Sequence, residues 1–265
     1  MNIETSRGSG PIVLGLPHTG LDVPAEIDEN LNELGRSLVD TDWHIHTLYE
    51  GLVPDVTTVR TRIHRYVIDV NRDPSGVSLY PGQNTTTLVP LIDFDGNDIW
   101  NVRPTEEDIE ARKQAFHTIY HTALWAELER VKEKHGFAIL YDCHSIRSRI
   151  PFLFEGTLPG FNIGTNNGAT CSPLVEKAVL DICEKADSYT TVLNGRFKGG
   201  WTTRHYGQPD ENIHAIQMEL AQSTYLETEQ PPFSFDKKKA ERLRVHLRAI
   251  LEGLTETAKL LGARP

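Results

Sequence analysis

Short runs of apolar residues, each bounded by glycine, proline or polar residues, recur along the chain and alternate with longer amphipathic stretches. Runs of this kind that are rich in β-branched residues are typical of buried strands. The pattern predicts strands at residues 11–16, 55–60, 66–70, 137–141, 150–154 and 214–219. Residues 75–103 have no clear period and predict a long loop, with a further short strand near Leu88 and Val89.

The amphipathic stretches predict helices. The longest runs from about residue 104 to 134, with Pro104 and several acidic residues in its first turn and Gly136 after its end. Others are predicted to open near residues 40–43 and to span 172–185 and 236–261, while 194–212 predicts a polar, glycine-rich loop. Strands that alternate with helices predict a three-layer α/β/α sandwich with a mixed, mostly parallel central sheet. No composition shift marks a boundary, so residues 1–265 are expected to form a single domain.

Composition and charge narrow the range of partners. The 265-residue chain is 38% hydrophobic and 24% charged, with a net charge of −10, which argues against nucleic acid or an anionic membrane as the main partner. Three cysteines without a CxxC pair make a disulfide framework improbable. The N-terminus lacks an apolar signal segment, and no apolar stretch approaches the roughly 18 residues of a membrane span. The predicted location is the cytoplasm.

Two histidines follow predicted inner strands. The apolar run 137–141 leads into Asp142 and His144, which should point to the same side because strand side chains repeat every second residue. His18 follows the run 11–16 in the same way. Ligands in open α/β sheets collect at the carboxyl ends of strands. With a carboxylate from Asp40 or Asp42, the two imidazoles would form the ligand set of a catalytic zinc site.

Other residues at this edge suggest hydrolytic chemistry. Glu219 closes the predicted strand 214–219 and is a candidate general base. Arg65 and the pair Asn71-Arg72 flank the predicted strand 66–70, and Arg204 lies in the glycine-rich loop. Arginines bind carboxylates as a fork and can polarise a carbonyl oxygen.

Two further residue pairs, His117 with His121 and Cys143 with His144, are interpreted as structural rather than catalytic. His117 and His121 lie four residues apart on the long helix, but no glutamate completes an HExxH motif, so we expect ordinary helix-surface histidines. Cys143 adjoins His144, but neighbours on a strand point to opposite faces, which argues against a cysteine nucleophile paired with that histidine.

Eight collinear motifs between about residues 11 and 226 resemble the N-formylglutamate amidohydrolase family. They are Pro17-His18-Thr19-Gly20, Asp40-Thr41-Asp42-Trp43, Arg65-Tyr66-Val67-Ile68-Asp69-Val70-Asn71-Arg72, Tyr141-Asp142-Cys143-His144-Ser145, Phe154-Glu155-Gly156-Thr157-Leu158-Pro159, Lys198-Gly199-Gly200, Thr203-Arg204-His205-Tyr206-Gly207 and Gln217-Met218-Glu219-Leu220. That family is similar in fold and site layout to zinc carboxypeptidases, which share a phosphorylase/hydrolase-like sandwich, and to aspartoacylase.

The resemblance implies a site layout. One zinc ion, or another divalent metal, would bind two histidines and an aspartate, a glutamate would activate the water, one arginine would polarise the scissile carbonyl, and an Asn-Arg pair would bind a substrate carboxylate. The matching residues here are His18, His144, Glu219, Arg65, Asn71 and Arg72. The relatives carry a glutamate ligand three residues after the first histidine, where this chain has Leu21. We narrowly prefer Asp40 over Asp42 as the replacement, and expect the other to cap the following helix.

The activity that the resemblance implies is hydrolysis of N-formyl-L-glutamate to formate and L-glutamate, which in the family ends a histidine-degradation route. A small-molecule dicarboxylate would explain why an acidic chain gathers Arg72 and Arg204, with Arg147 or Lys198, at one edge. Two alternatives stay open: a zinc-dependent deacylase of another N-acyl amino acid, and a non-catalytic dicarboxylate-binding protein. The sequence leaves the oligomeric state unknown.

Overall fold

A seven-stranded mixed sheet runs through the centre of the protein. The computed structural model describes residues 2–79 and 82–262, so positions 80–81 of the predicted loop lie outside the described residues. The strands are β1 (Ile3–Ser6), β2 (Ile12–Leu16), β3 (Thr57–Thr61), β4 (Ala138–Ile146), β5 (Phe161–Gly164), β6 (Thr191–Leu193) and β7 (Ile213–Ala221). Their spatial order is β1-β3-β2-β4-β7-β5-β6. The β1–β3 and β5–β7 pairs are antiparallel and the other four are parallel, which confirms the predicted mixed sheet.

Helices cover both faces of the sheet. They are α1 (Ala25–Asp28), α2 (Glu33–Arg36), α3 (Ile45–Tyr49), α4 (Glu106–Arg112), α5 (Thr118–His135), α6 (Pro173–Glu184), α7 (Trp201–Tyr206) and α8 (Lys237–Gly262). A π-helical turn, Lys113–His117, joins α4 to α5. Within the described part of the chain, no helix is both long and apolar enough to cross a membrane.

Side chains of the inner strands point alternately into two separate hydrophobic cores, one on each face of the sheet. On β4, Ile139 and Tyr141 pack with residues of α6 and α8, whereas Ala138 and Leu140 pack with residues of α5 on the other face. Each large apolar side chain buried in this way stabilises the fold by roughly 1.5–3 kcal/mol. The α/β sandwich predicted from the sequence is confirmed.

Four predicted strands correspond to β2, β3, β4 and β7. β4 continues to Ile146, so Asp142 and His144 lie inside the strand, where their side chains share one face. The strands β1, β5 and β6 were not predicted. β1 is an edge strand with mostly exposed positions, and β5 and β6 have only four and three residues, too few to show a period.

The strand predicted at residues 66–70 is wrong, although the run is buried and rich in valine and isoleucine. The segment 65–72 forms turns, and its carbonyls accept hydrogen bonds from side chains of the long helix. Arg112 donates to the carbonyl of Val67 (3.3 Å), and imidazoles donate to the carbonyls of Val70 and Arg72. Because backbone acceptors of this run are occupied by side chains, it does not join the sheet.

The strands predicted at 150–154 and near residues 88–89 are also wrong. Residues 151–153 form a turn in which the Ile150 carbonyl accepts from Leu153 N and Phe154 N, and residues 88–89 form a bend. The predicted loop 194–212 contains the short helix α7.

The helix that was expected to open near residues 40–43 begins later, at Ile45. Its N-cap is His44, in a left-handed conformation with φ of 58° and no side-chain cap hydrogen bond. Neither Asp40 nor Asp42 caps it, so that expectation is wrong. Both carboxylates instead accept hydrogen bonds from more distant parts of the chain.

Candidate metal and active site

The candidate site lies where β2, β4 and β7 bring their functional residues to one face of the sheet. His18 comes two residues after β2, and β4 carries His144. In the parallel pairing of β4 with β7, His144 is directly opposite Glu219, so the two side chains are neighbours. All three are buried and line one cavity.

Three acceptor atoms converge at the floor of this cavity. Nδ1 of His18 lies 3.2 Å from Nδ1 of His144, and Oδ2 of Asp42 lies 3.8 Å and 3.3 Å from these two nitrogens. Together they form a group of potential metal ligands whose atoms all lie within 4.8 Å of one another. Two imidazoles and one carboxylate are a donor set that suits zinc.

Carboxylates behind the histidines orient their rings. Nε2 of His18 is 2.7 Å from Oδ1 of Asp69, and Nε2 of His144 is 3.1 Å from Oδ1 of Asp142. The Asp69 carboxylate at Nε2 of His18 favours the tautomer with the proton there, which leaves the Nδ1 lone pair of His18 facing the cluster. This lone pair, Nδ1 of His144 and Oδ2 of Asp42 meet in a buried space, and they repel one another unless a proton or a cation lies between them. The residues present therefore fit a bound metal ion.

The two imidazoles differ in their affinity for protons. Burial, with a contribution from Arg65, lowers the pKa of His18 to about 4, so this ring is neutral and available as a ligand at neutral pH. Burial also opposes protonation of His144, but the adjacent Asp142 carboxylate holds the pKa of His144 well above its ordinary value. A cation in the cluster would replace that proton.

Asp42, not the narrowly preferred Asp40, lies with the two histidines. The Asp42 side chain is fully buried, with Oδ1 accepting from Arg65 (2.8 Å) and Oδ2 from the backbone N–H of Ser145 (3.0 Å). Asp40 Oδ2 instead accepts from the Tyr66 hydroxyl (2.7 Å) and a backbone N–H. The geometry therefore favours Asp42 over Asp40 as the third potential ligand, because the tight turn before α3 directs the two carboxylates to different partners, which spacing cannot reveal.

Glu219 is the buried carboxylate that faces the cavity beside the cluster. Its Oε2 accepts from Gln217 Nε2 (3.0 Å), and Gln217 Oε1 in turn accepts from the backbone N–H of Gly200 (2.6 Å). Burial raises the pKa of Glu219 to about 8, with His144 opposing the shift. The shift increases the proton affinity of Glu219, and a cation in the adjacent cluster would lower the pKa again toward the neutral range that suits a general base.

Arg65 adjoins the cluster and lines the cavity. One terminal nitrogen is hydrogen-bonded to Asp42, its guanidinium lies 5.0 Å from the centre of the Phe94 ring, and its Nε has no hydrogen-bond partner among the described residues. Asp42 holds the pKa of Arg65 above its ordinary value even though burial opposes the charge. The arrangement provides a fixed positive charge with a donor still to be satisfied.

Asn71 and Arg72 also line the cavity, on the turn that ends segment 65–72. Asn71 Nδ2 is 3.2 Å from His144 Nε2, and its Oδ1 accepts from the backbone N–H of Thr202 (2.9 Å). A Cβ at Gly200 would lie 2.3 Å from Asn71 Nδ2, so this close approach requires glycine. The Arg72 guanidinium donates to the carbonyl and hydroxyl of Thr86.

Arg204 occupies a different position from the other predicted substrate-binding residues. Among the described residues, those that line the site cavity do not include Arg204, which lines an adjacent cavity together with Arg196 and Lys198. Arg196 lines both cavities. Arg196, Asp69 and Gln217 were not predicted as site residues. Asp69 and Gln217 lie inside the predicted strands 66–70 and 214–219, and Arg196 lies in the predicted loop 194–212, so none of them ends an apolar run.

The histidine pair of the long helix is not on the surface, so that expectation is wrong. His117 is 3% exposed and His121 is half-buried, and both imidazoles bind backbone carbonyls. Cys143 lies in the core on the face of β4 opposite His144, as strand alternation predicted.

The fold and the site together are typical of a hydrolase that activates water. The fold is an α/β sandwich, and one edge of its sheet carries a histidine–aspartate cluster, a buried glutamate and a buried arginine. The model of the N-formylglutamate amidohydrolase family matches residues 10–226, more than half of the chain. The chain therefore belongs to the N-formylglutamate amidohydrolase family, as the motifs predicted.

Individual relatives agree with this assignment. An N-formylglutamate deformylase of Pseudomonas aeruginosa is 43% identical over 95% of this chain and 95% of the relative, and that of Pseudomonas putida is 43% identical over 94% and 93%. The crystal structure of an N-formylglutamate amidohydrolase from Ralstonia eutropha superimposes with a TM-score of 0.78 at 23% identity, covering 98% of this chain and 97% of that chain. A gene product of Agrobacterium tumefaciens superimposes with a TM-score of 0.73 at 18% identity over 96% and 95%. The two structures support the fold.

Proposed function

We propose that this chain hydrolyses N-formyl-L-glutamate to formate and L-glutamate, using one divalent metal ion held by His18, Asp42 and His144. Family membership and the names of the two Pseudomonas relatives support the reaction. The observation that carries the metal requirement is the convergence of three buried acceptor atoms within 4.8 Å. Zinc as the ion, a cytoplasmic location and the closing step of a histidine-degradation route complete the proposal. Zinc and the degradation route rest on the family resemblance, and the location rests on the three free cysteines.

A divalent ion in the cluster would acidify a water molecule and polarise the formyl oxygen. Glu219, opposite His144 on the neighbouring strand, accepts the proton of the attacking water. Arg65 donates to the oxygen on which negative charge develops, and its position against Asp42 needs no rearrangement during the reaction. Glu219 then returns the proton to the leaving amine as the carbon–nitrogen bond breaks. The balanced reaction is amide plus water to formate plus amine.

Positive groups in the cavity suit the two carboxylates of the substrate. Arg72, Asn71 and Arg196 all line the cavity, and the Arg196 guanidinium lies 5.5 Å from the centre of the Phe197 ring. The guanidinium of Arg72 is held by Thr86, which orders it before a ligand arrives. We assign Arg72 and Asn71 to one substrate carboxylate. Arg204 and Lys198 would attract the substrate carboxylates from the adjacent cavity and would not contact the metal cluster.

The proposal is tested by comparing N-formyl-L-glutamate with N-acetyl-L-glutamate and N-formyl-L-leucine at matched concentrations of zinc-loaded enzyme. We expect release of formate from N-formyl-L-glutamate, with much lower kcat/KM for the other two. Faster cleavage of N-acetyl-L-glutamate would assign the chain to the N-acyl deacylases. Tight binding of N-formyl-L-glutamate without turnover at any metal loading would identify a dicarboxylate-binding protein.

A further inference from the structure

One segment of the chain carries four residues of the site and has little regular structure of its own. Within segment 65–72, Arg65 binds Asp42, Asp69 binds His18, Asn71 approaches His144, and Arg72 lines the cavity. The segment forms turns and joins no strand of the sheet. Some other part of the protein must therefore determine where these four side chains lie.

The long helix contacts this segment through three side chains. Arg112 donates to the carbonyl of Val67 (3.3 Å), His121 Nε2 lies 2.7 Å from the carbonyl oxygen of Val70, and His117 Nε2 lies 3.0 Å from that of Arg72. A carbonyl can only accept, so each imidazole must carry its proton on Nε2. For His121 the second nitrogen, Nδ1, is 2.9 Å from the Tyr206 hydroxyl.

The π-helical turn Lys113–His117 lies within this stretch of helix. A π-turn changes the helical phase of the residues that follow it, and such turns are frequent at functional sites. Here it lies between Arg112 and His121, and His117 is its last residue. All three side chains nevertheless reach carbonyls of the same short segment.

Burial and the packing of Trp201 keep the imidazoles of His117 and His121 neutral and fixed in position. Burial lowers the pKa of His121 to about 3, and burial likewise lowers the pKa of His117. Trp201 packs against both rings, with centroid distances of 5.5 Å to His117 and 4.7 Å to His121. The next residue of α7, Thr202, donates its backbone N–H to Asn71, so α7 and the long helix hold the same turn from two sides.

We propose that His117 and His121 are positioning residues for substrate binding: by holding the carbonyls of Arg72 and Val70 they fix the Asn71–Arg72 turn against the cavity. The two histidines contact neither the metal cluster nor the bound substrate in this role. Their effect on catalysis passes through Asn71 and Arg72. The inference rests on the proposed function for its kinetic test, but its structural content does not depend on which substrate is used.

Leucine and glutamine substitutions separate the donated hydrogen bond from simple packing. His117→Leu and His121→Leu fill similar space without a donor, whereas His117→Gln and His121→Gln keep an amide N–H. We expect each leucine variant to raise KM for N-formyl-L-glutamate and Ki for L-glutamate by roughly tenfold, the scale of one lost hydrogen bond to a positioning group. We expect kcat and inhibition by a metal-directed hydroxamate to change much less. The glutamine variants should recover most of the wild-type KM.

His205→Leu is the matched control. His205 is exposed and stacks on Trp201 at 4.3 Å, so its loss disturbs the same aromatic cluster without removing a donor to segment 65–72. Wild-type KM in this variant is the expected result. A KM increase equal to that of His117→Leu, or leucine and glutamine variants with the same KM, would overturn the proposal.

Amide hydrogen exchange tests, without an activity measurement, whether His117 and His121 hold segment 65–72 in place. In the wild type, Asn71 N–H donates to the Asp69 side chain (2.9 Å) and Arg72 N–H to the Asp69 carbonyl (3.1 Å). In the leucine variants a peptide covering 66–72 should exchange faster, with β4 and β7 unchanged. Unaltered exchange in that peptide would refute the positioning role of the two histidines. Absence of formate release from wild-type protein, together with faster exchange in the variants, would refute only the proposed function.

Discussion

Replacing each of the two neighbouring aspartates by asparagine distinguishes the ligand from its neighbour. Asp42 uses both carboxylate oxygens as acceptors, one toward Arg65 and the other toward Ser145 N and the two histidines. An amide has a single oxygen, so Asp42→Asn must turn an NH2 group toward one of these donors or toward the cluster. Asp40 accepts hydrogen bonds through Oδ2, whereas its Oδ1 has no hydrogen-bond partner among the described residues and lies 4.0 Å from Arg147 Nη2. Asp40→Asn can therefore keep both of its bonds.

The structure sets the size of these effects. Breaking one side of a buried ion pair costs about 3–5 kcal/mol. For a chain of this length that corresponds to a fall in Tm of roughly 6–10 °C for metal-free Asp42→Asn. Loss of the ligand charge should also weaken metal binding by at least about a hundredfold, the upper range for loss of an outer-shell partner alone. Near pH 4, where Asp40 carries its proton in the folded chain, Asp40→Asn should change Tm by less than about 2 °C, and at neutral pH it should leave metal affinity close to wild type.

The assay is thermal unfolding of metal-free protein together with zinc titration against a chromophoric chelator, for the wild type and both variants. Weak zinc binding by Asp42→Asn and normal binding by Asp40→Asn is the expected pattern. The reverse pattern would show that Asp40 is the ligand and that the convergence of Asp42 with the histidines is structural.

Three other changes have defined outcomes. Glu219→Gln should lower kcat by at least about a hundredfold, the scale of general-base loss, with metal content unchanged; near-full turnover would remove Glu219 from this role. Cys143→Ala should keep wild-type kcat, because Cys143 lies in the core on the opposite face of β4 from His144, and a large loss of kcat would reopen a thiol mechanism. Burial raises the pKa of Asp40 from 3.8 to about 7. Between these pH values the folded chain keeps a proton on Asp40 that the unfolded chain loses. The contribution of Asp40 to the free energy of unfolding of the wild type therefore falls as the pH rises from about 4 to 7. Urea unfolding from about pH 4 to 7 should show Asp40→Asn gaining stability relative to wild type, and a pH-independent difference would contradict the shift.

The inner strands and the two histidines could be predicted because their signal is local. The apolar run of β2 is followed by Pro17 and His18, and the apolar first half of β4 gives way to Asp142 and His144, so both histidines could be found from the local pattern. Glu219 was found in the same way at the end of the predicted strand 214–219, although β7 itself continues to Ala221. Strand alternation then separated Cys143 from His144 without any knowledge of the fold.

The rest of the site depends on contacts between distant parts of the chain. Segment 65–72 has the composition of a buried strand, but helix side chains rather than a neighbouring strand satisfy its carbonyls. His117 and His121 were assigned to the surface because their spacing gave no sign of these acceptors. The choice of Asp42 over Asp40 depends on a turn in which Leu38 and His44 adopt positive φ angles, which the residue types there do not predict.

The most direct test of the account is metal content of purified protein measured together with formate release from N-formyl-L-glutamate, before and after chelation. About one divalent ion per chain is the expected content. Activity should be lost with chelator and recovered when zinc is restored. Protein that remains free of metal and still releases formate would contradict the role assigned to His18, Asp42 and His144.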